Sequence, residues 1–316
     1  MKVPTIFLGT PDIAAEILKS ISSNENIDLV AVITAPDKKQ GRKMQIKKTE
    51  VKTVAEELKI PVYTPSTKEE IHTILAGLDF KLAITAAYGL IIPEKTLDLA
   101  KFLNIHFSLL PKYRGASPIQ ASLLNGDKVT GVTIFELSKK MDCGDIIDQA
   151  EVAIDQNDDL ESLSAKLINK AVILVAALVL PYLKKEIDLQ IQDDNQSSYC
   201  YKITKKDGLI DFDNDDCEKV INKIRAFKNW PTTYSYLAGK ILKILEAKKV
   251  NHLEEEADEV TNKASKGQII IAHGKIYVIL KDGPLEIQKL QMEGKNPITA
   301  KEFIAGYANL NGSTLG

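Results

Sequence analysis

Cysteine is scarce in this 316-residue chain: Cys143, Cys200 and Cys217 are an odd number without metal-ligand spacing. That excludes a disulfide framework and a cysteine-based metal site, and it fits a reducing, cytoplasmic compartment. A long secretory-type apolar segment is also missing, because Met1-Lys2-Val3-Pro4-Thr5 passes directly into a short apolar strand. The most apolar run, Ala171–Leu183, has about 13 residues against the ~20 that span a bilayer, so a buried core helix is expected. Charge of one sign is not in excess: 41 Lys and Arg face 43 Asp and Glu, a net charge of −2. No global field therefore draws the chain to nucleic acid or membrane, and any such affinity must be local. The first turn, Gly9-Thr10-Pro11, lacks the G-x-G-x-x-G glycines, which argues against a dinucleotide at that point. Internal repeats and low-complexity tracts are absent.

What is present is the composition of an ordinary globular protein, 44% hydrophobic and 27% charged, at a length sufficient for two cores. Apolar strands at Thr5–Leu8, Leu29–Thr34, Leu82–Thr85, Gly131–Leu137 and Ile146–Ile154 alternate with helical periodicity. Ile13, Ile17 and Ile21, for example, recur every four residues. A long helix starts at Asp158 or Asp159 and ends near Lys184. This alternation predicts a Rossmann-like α/β domain with a mainly parallel sheet over residues 1–185, its ligands at the carboxyl ends of the strands. Residues 186–204 are polar and aperiodic and read as a linker. Over 205–316 the pattern changes to short strands, Leu209–Phe212 first among them. Gly239, Gly274 and Gly283 mark turns, and one helix, Glu218–Phe227, interrupts. A small OB-like β-barrel domain is predicted there.

The chemistry gathers at Asn104–Pro118. In a period-two strand Asn104 and His106 share a face, so an amide donor and an imidazole emerge together at the strand end. Such a pair can polarise a carbonyl and move a proton. Ser108-Leu109-Leu110-Pro111 follows as a loop able to offer backbone groups to a planar ligand. Lys112-Tyr113-Arg114-Gly115 then sets cations and a ring beside a flexible hinge. Met141-Asp142-Cys143-Gly144-Asp145 is by itself a turn signal, and it gains meaning if the fold carries Asp142 to His106. The small-residue turn at Ala86–Pro93 is read equally as a pocket wall or as the lead into a helix. Residues 37–52 form a basic loop. Lys38, Lys39, Arg42, Lys43, Lys47 and Lys48 make it a candidate contact for a phosphate backbone, with a solvated loop as the alternative. His72, His252 and His273 lie in unremarkable settings, and Cys143 is expected to be a bystander.

The N-I-H-x-S-L-L-P block followed by an Asp-x-Gly-Asp turn resembles the folate-dependent formyltransferases. Phe7-Leu8-Gly9-Thr10-Pro11, Ala87-Tyr88-Gly89-Leu90-Ile91-Ile92-Pro93, Gly131-Val132-Thr133-Ile134 and Arg225-Ala226-Phe227-Lys228-Asn229-Trp230-Pro231 extend the likeness along nearly the whole chain. Within that superfamily they are most similar to the members acting on charged initiator tRNA. The resemblance implies transfer of the formyl group of 10-formyltetrahydrofolate to the α-amino group of methionyl initiator tRNA. Asn104, His106 and Asp142 would be catalytic, with Asp142 keeping His106 charged. Ser108, Leu109, Leu110, Pro111, Tyr88, Gly89 and Leu90 would line the folate site. Lys38, Lys39, Arg42, Lys43, Lys47 and Lys48 would meet the tRNA, and residues 205–316 would bind it too. No metal is implied, and a monomer without a membrane partner is expected. Phe107 stands where the family usually has a small residue or proline. A formyl-folate enzyme acting on a small amine and a catalytically silent tRNA-binding protein are the two other readings.

Overall fold

The computed structural model describes residues 2–40, 45–250, 264–307 and 310–316. Arg42, Lys43 and His252 lie outside them, as does the side chain of Lys39. The chain forms two compact units. Unit 1 comprises Met1–Pro118, Lys128–Ile154 and Leu163–Tyr201, and unit 2 comprises Ile119–Asp127, Asp155–Ser162 and Lys202–Gly316.

Unit 1 opens with β1 (Val3–Gly9), α1 (Asp12–Ile21) and β2 (Ile27–Ile33). Two three-residue strands follow, β3 (Lys38–Gln40) and β4 (Gln45–Lys47), then α2 (Glu50–Glu57) and β5 (Val62–Tyr63). Next come α3 (Lys68–Ala76), β6 (Leu82–Ala86), α4 (Glu94–Leu97), β7 (Lys101–His106) and the two-residue β8 (Arg114–Gly115). A short helix, α5 (Pro118–Leu124), which belongs to unit 2 from Ile119 onward, precedes β9 (Val129–Glu136) and β10 (Ile146–Ala153). The long α6 (Leu160–Leu183) and β11 (Tyr199–Cys200) complete this half.

The seven-stranded sheet has the order β10-β9-β7-β6-β1-β2-β5. Its strands from β5 to β7 are parallel, whereas β9 and β10 join antiparallel. Ile6, Leu8, Ala31, Ile33 and Ala83 are buried against Ile71 and Leu75 of α3, which is why β1, β2 and β6 read as continuous apolar runs rather than alternating ones. From β1 the chain winds outward first through β2 and β5, then on the other side through β6 and β7. The carboxyl ends of β6 and β7 therefore lie beside the point where the winding reverses, the place where open α/β sheets hold ligands.

Two expectations, the irregular basic loop and the free linker, need correction, while the long apolar helix is found as expected. The basic loop is not wholly irregular, because β3 and β4 pair as a hairpin with Lys38 opposite Lys47. The long helix expected from Asp158 or Asp159 to about Lys184 is present: α6 has 24 residues, enough by length and composition to cross a membrane. Its buried positions Leu163, Leu167, Ala171, Leu174, Leu178 and Tyr182 recur every three to four residues, as in a helix laid on a core. Residues from Gln190 to Cys200 do not form a free linker. Gln190 exchanges backbone hydrogen bonds with Ile146, and β11 pairs with β8.

Unit 2 carries α7 (Cys217–Ala226), β12 (Thr233–Leu237), β13 (Lys240–Lys249), β14 (Ile269–Ala272), β15 (Lys275–Leu280), β16 (Gly283–Met292), β17 (Ile298–Thr299) and α8 (Ala300–Gly306). The antiparallel sheet runs β12-β13-β16-β15-β14, with β17 on β16. Val220 of α7 and Phe303 of α8 share one core with Leu242, Ile276, Leu285 and Leu290 from the strands. Leu209–Phe212 is not a strand: it makes a single bridge to Tyr234, after which the carboxylates of Asp211 and Asp215 bind backbone N–H groups and turn the chain.

Candidate active site

Strand β7 lies between β6 and β9, and its register decides what its polar residues meet. Asn104 stands opposite Thr85 on one side and Phe135 on the other, while His106 stands opposite Thr133. The Thr85 hydroxyl is 2.7 Å from Asn104 Oδ1 and 3.0 Å from the Leu103 carbonyl, so one proton serves two acceptors. With Oδ1 held this way, the Asn104 amide N–H₂ remains available, having no hydrogen bond to the described residues.

His106 is 5% exposed. Its Nε2 lies 2.8 Å from the carbonyl oxygen of Tyr113, an acceptor only, so Nε2 carries the proton and donates it. Nδ1 faces Asp142, with Oδ2 at 3.8 Å. The Phe135 ring meets the imidazole edge-on at 6.4 Å between centroids and fixes its tilt. Burial holds the His106 pKa below its ordinary value, against the Asp142 carboxylate and the Tyr113 carbonyl, which both favour the cation. Asp142 Oδ2, at 3.8 Å from Nδ1, already accepts the Gly115 N–H at 2.8 Å, and its pull toward the charged ring is smaller than the opposing effect of burial.

Asp142 arrives from residues 137–145, which connect β9 to β10 and arch back over the sheet. Its φ of +54° is left-handed, a conformation that Asp tolerates because its short side chain bonds locally. Two glycines make the approach possible. A Cβ on Gly144 would stand 1.7 Å from the Glu136 carbonyl, and one on Gly115 would stand 2.1 Å from the Cys200 carbonyl. Side chains are excluded at both points, and Gly115 also needs its φ of +119°.

The loop expected to hold folate is built from inside. Ser108 is fully buried, and its hydroxyl donates to the Lys112 carbonyl at 2.5 Å. The Thr133 hydroxyl donates to the Ser108 carbonyl at 2.6 Å and accepts the Leu110 N–H at 3.0 Å. Gln149 closes the set through its amide, 2.8 Å from the Leu110 carbonyl. Leu110 packs with Phe135 and Ile146, and Phe107 is buried too, so of the loop's apolar side chains Leu109 and Pro111 are left partly open. Tyr88 and Leu90 follow the carboxyl end of β6 and pack on the Ile6–Ile33 cluster, while Gly89 is exposed. The Tyr88 hydroxyl is buried without a hydrogen-bond partner among the described residues, and burial pushes its pKa up to about 12. Pro111 sits at the half-exposed end of the loop.

In the basic hairpin, Lys47 pairs with Glu50 and Lys48 with Glu56, each at 2.6 Å, while Lys38 is exposed. The structure thus brings Asn104, His106 and Asp142 to one edge of unit 1. It differs from the expectation at Arg114, which is 1% exposed and turned away from solvent. Cys143 Sγ donates to the Met141 carbonyl at 3.1 Å. His72 bonds Thr96 beside α4. Sequence reading gave no supporting role to Thr85, Thr133, Gln149 and Gln192, which lie 16 to 50 positions from the residues they support; of these only Thr133 falls in a motif, Gly131–Ile134, and that motif did not reveal its partners.

Two family models match the chain: one described as formyl transferase over residues 1–179, the other as formyl transferase, C-terminal domain, over residues 202–308. The methionyl-tRNA formyltransferase of Sulfurihydrogenibium sp. is 38% identical over 314 residues, covering 97% of this chain and 97% of that relative. Among solved structures, the N-formyltransferase from Helicobacter canadensis, crystallised with folinic acid and dTDP-3-aminofucose, shares the fold at a TM-score of 0.64 and 20% identity, with 90% of this chain and 99% of that one covered. HypX from Aquifex aeolicus in complex with tetrahydrofolic acid gives a TM-score of 0.66 at 14% identity, covering 98% of this chain but 48% of HypX. Motif, fold and full-length identity agree, and the chain belongs to the methionyl-tRNA formyltransferase family.

Proposed function

We propose that this enzyme transfers the formyl group of 10-formyltetrahydrofolate to the α-amino group of methionine carried on initiator tRNA. The observation that carries the reading is the meeting of Asn104, His106 and Asp142, with a neutral imidazole whose Nδ1 is the unprotonated nitrogen.

Folate suits the residues present. The buried, unpartnered Tyr88 hydroxyl offers an unused polar group, and the Ser108–Pro111 backbone is held rigid by Thr133 and Gln149. Formyl-tetrahydrofolate supplies an activated acyl carbon. The Asn104 amide donates to the formyl oxygen as negative charge builds there, a contribution of about 3–4 kcal/mol in comparable oxyanion sites. His106 Nδ1 accepts the proton that the attacking amine loses. The imidazolium so formed faces Asp142 at 3.8 Å, which stabilises it at the moment it exists. In that state Nδ1–H joins Asn104 as a donor, then passes its proton to the departing folate nitrogen, so the C–N bond made replaces the C–N bond broken. The amine is nucleophile enough that no acyl-enzyme is required.

Initiator tRNA as acceptor rests on the likeness to full-length methionyl-tRNA formyltransferases and on Lys38, Lys39, Arg42, Lys43, Lys47 and Lys48. Residues 1–185 would then be catalytic, and 205–316 would hold the tRNA. An aminosugar acceptor, as in the Helicobacter canadensis enzyme, has the weaker support of 20% identity. Labelled formyl transfer from 10-formyltetrahydrofolate to methionyl initiator tRNA decides the matter. Transfer is expected to that acceptor and to be lost in His106→Ala, and preferential labelling of a free aminosugar nucleotide would overturn the assignment.

A further inference from the structure

The catalytic carboxylate sits on a turn with no regular secondary structure of its own, so something else must hold it. Arg114 is the place to begin. A guanidinium that is 1% exposed has lost its hydration and needs protein acceptors for its fork of N–H groups. One arm, Nη1, reaches Asp194 Oδ1 at 2.8 Å. The other edge is met by a neutral group: Gln192 Oε1 accepts from Nε at 3.0 Å and from Nη2 at 2.8 Å.

A carboxylate at position 192 would serve the arginine better. The amide is explained by its other end. Gln192 Nε2 donates to the carbonyl of Asp142 at 3.0 Å and to the carbonyl of Gly144 at 2.7 Å. Only an amide carries an acceptor and a paired donor on one plane, converting the donors of a guanidinium into donors for two carbonyls. The contacts form a ring. Arg114 fixes Gln192, Gln192 fixes both carbonyls of the Asp142 turn, and Asp142 Oδ2 accepts from Gly115, the residue next to Arg114. The same segment touches the other half of the pair. Cys200 Sγ is 3.4 Å from the Tyr113 carbonyl, the acceptor of the His106 Nε2 proton, and the Arg114 N–H donates to the Ser198 carbonyl at 2.8 Å.

We propose that Gln192, oriented by Arg114, is a positioning residue that sets the Asp142 carboxylate against the His106 ring. It does not touch substrate, and the proposal rests on the catalytic reading of His106 and Asp142 given above. Residues 190–200, polar enough to pass for a spacer, are on this view a working part of the catalytic centre.

Gln192→Glu is the discriminating variant. It keeps the acceptor for Arg114 but turns an oxygen toward the carbonyls of Asp142 and Gly144, releasing the turn while leaving the arginine paired. The expected result is a fall in kcat on the order of 10- to 100-fold, the scale of a misplacement of about 1 Å. KM for 10-formyltetrahydrofolate and for methionyl-tRNA should stay within about threefold, because neither is contacted. The decisive comparison is with Asp142→Asn and the double variant, which should be no slower than Asp142→Asn alone. Gln192→Asn, which keeps the amide but cannot span the gap, is read by the same criteria if Gln192→Glu fails to fold. Wild-type kcat in the folded Gln192 variant, with Asp142→Asn inactive, overturns the positioning role and leaves the catalytic pair standing. Multiplied losses in the double variant also overturn it. Wild-type turnover in Asp142→Asn overturns the catalytic pair itself, and the proposal with it.

Discussion

Replacing Asn104 by alanine tests the acyl-transfer chemistry most directly, because the loss should fall on one kinetic constant. Asn104 is half-buried, and its one described side-chain hydrogen bond is the 2.7 Å contact with the Thr85 hydroxyl. After substitution that hydroxyl still has the Leu103 carbonyl at 3.0 Å, so no buried donor is orphaned. The expected cost to stability is that of one hydrogen bond, about 0.5–1.5 kcal/mol. The cost to catalysis is larger. Removing one preorganised donor from a developing oxyanion raises the barrier by about 2.7–4 kcal/mol, or about 10²- to 10³-fold in kcat. KM for both substrates should move by no more than about twofold, since the amide is matched to charge that develops in the transition state. Steady-state transfer of labelled formyl to methionyl initiator tRNA, with a thermal melt in parallel, reads all three quantities. A variant with unchanged kcat and a raised KM would place Asn104 in ground-state binding and refute the oxyanion assignment.

Other outcomes follow from the same geometry. Asp142→Ala should abolish turnover while tRNA affinity stays close to wild type; a large loss in a filter-binding measurement would contradict a purely catalytic role. The depressed His106 pKa has a sign that can be checked: below the ordinary imidazole pKa of about 6.5 the unfolded chain takes up a proton that the folded chain refuses, so stability falls with pH until the folded pKa is reached. Urea melts from pH 8 to pH 5 should show this decline in the wild type and a shallower one in His106→Gln; equal slopes would remove the neutral buried ring. Gly144→Ala should destabilise unit 1 by about 1–3 kcal/mol, as a Cβ 1.7 Å from a carbonyl oxygen forces the connection away from β9, and an unchanged melting temperature would count against the described approach. Alanine at Lys38, Lys39, Arg42 and Lys43 should weaken tRNA use and flatten its salt dependence, by up to about 0.9 in the log–log slope for each phosphate no longer neutralised. Kinetics unaltered across salt concentrations would separate the hairpin from tRNA binding.

Elements with strong local signals were readable in advance. Continuous apolar runs became β1, β2 and β6, and the period-two placement of Asn104 and His106 on β7 followed from strand geometry alone. Local rules also misled. The paired aspartates at 211 and 215 overrode an apolar dipeptide that looked like a strand. The polar composition of residues 190–200 concealed a role fixed entirely by distant partners.

By itself, the sequence determined which residue types were at hand and which faces they would take. An amide and an imidazole two positions apart, a carboxylate two residues before a glycine on a turn, and the absence of a paired-cysteine framework are all properties of the chain as written. Tertiary structure alone decided the protonation and the company of those groups. Burial beneath the sheet and Phe135 holds the imidazole pKa down, and the carboxylate's turn is bonded to Gln192, itself held by Arg114, 50 and 28 positions from Asp142. Desolvation and long-range hydrogen bonding depend on what surrounds a side chain in three dimensions, and no local pattern of residues encodes that.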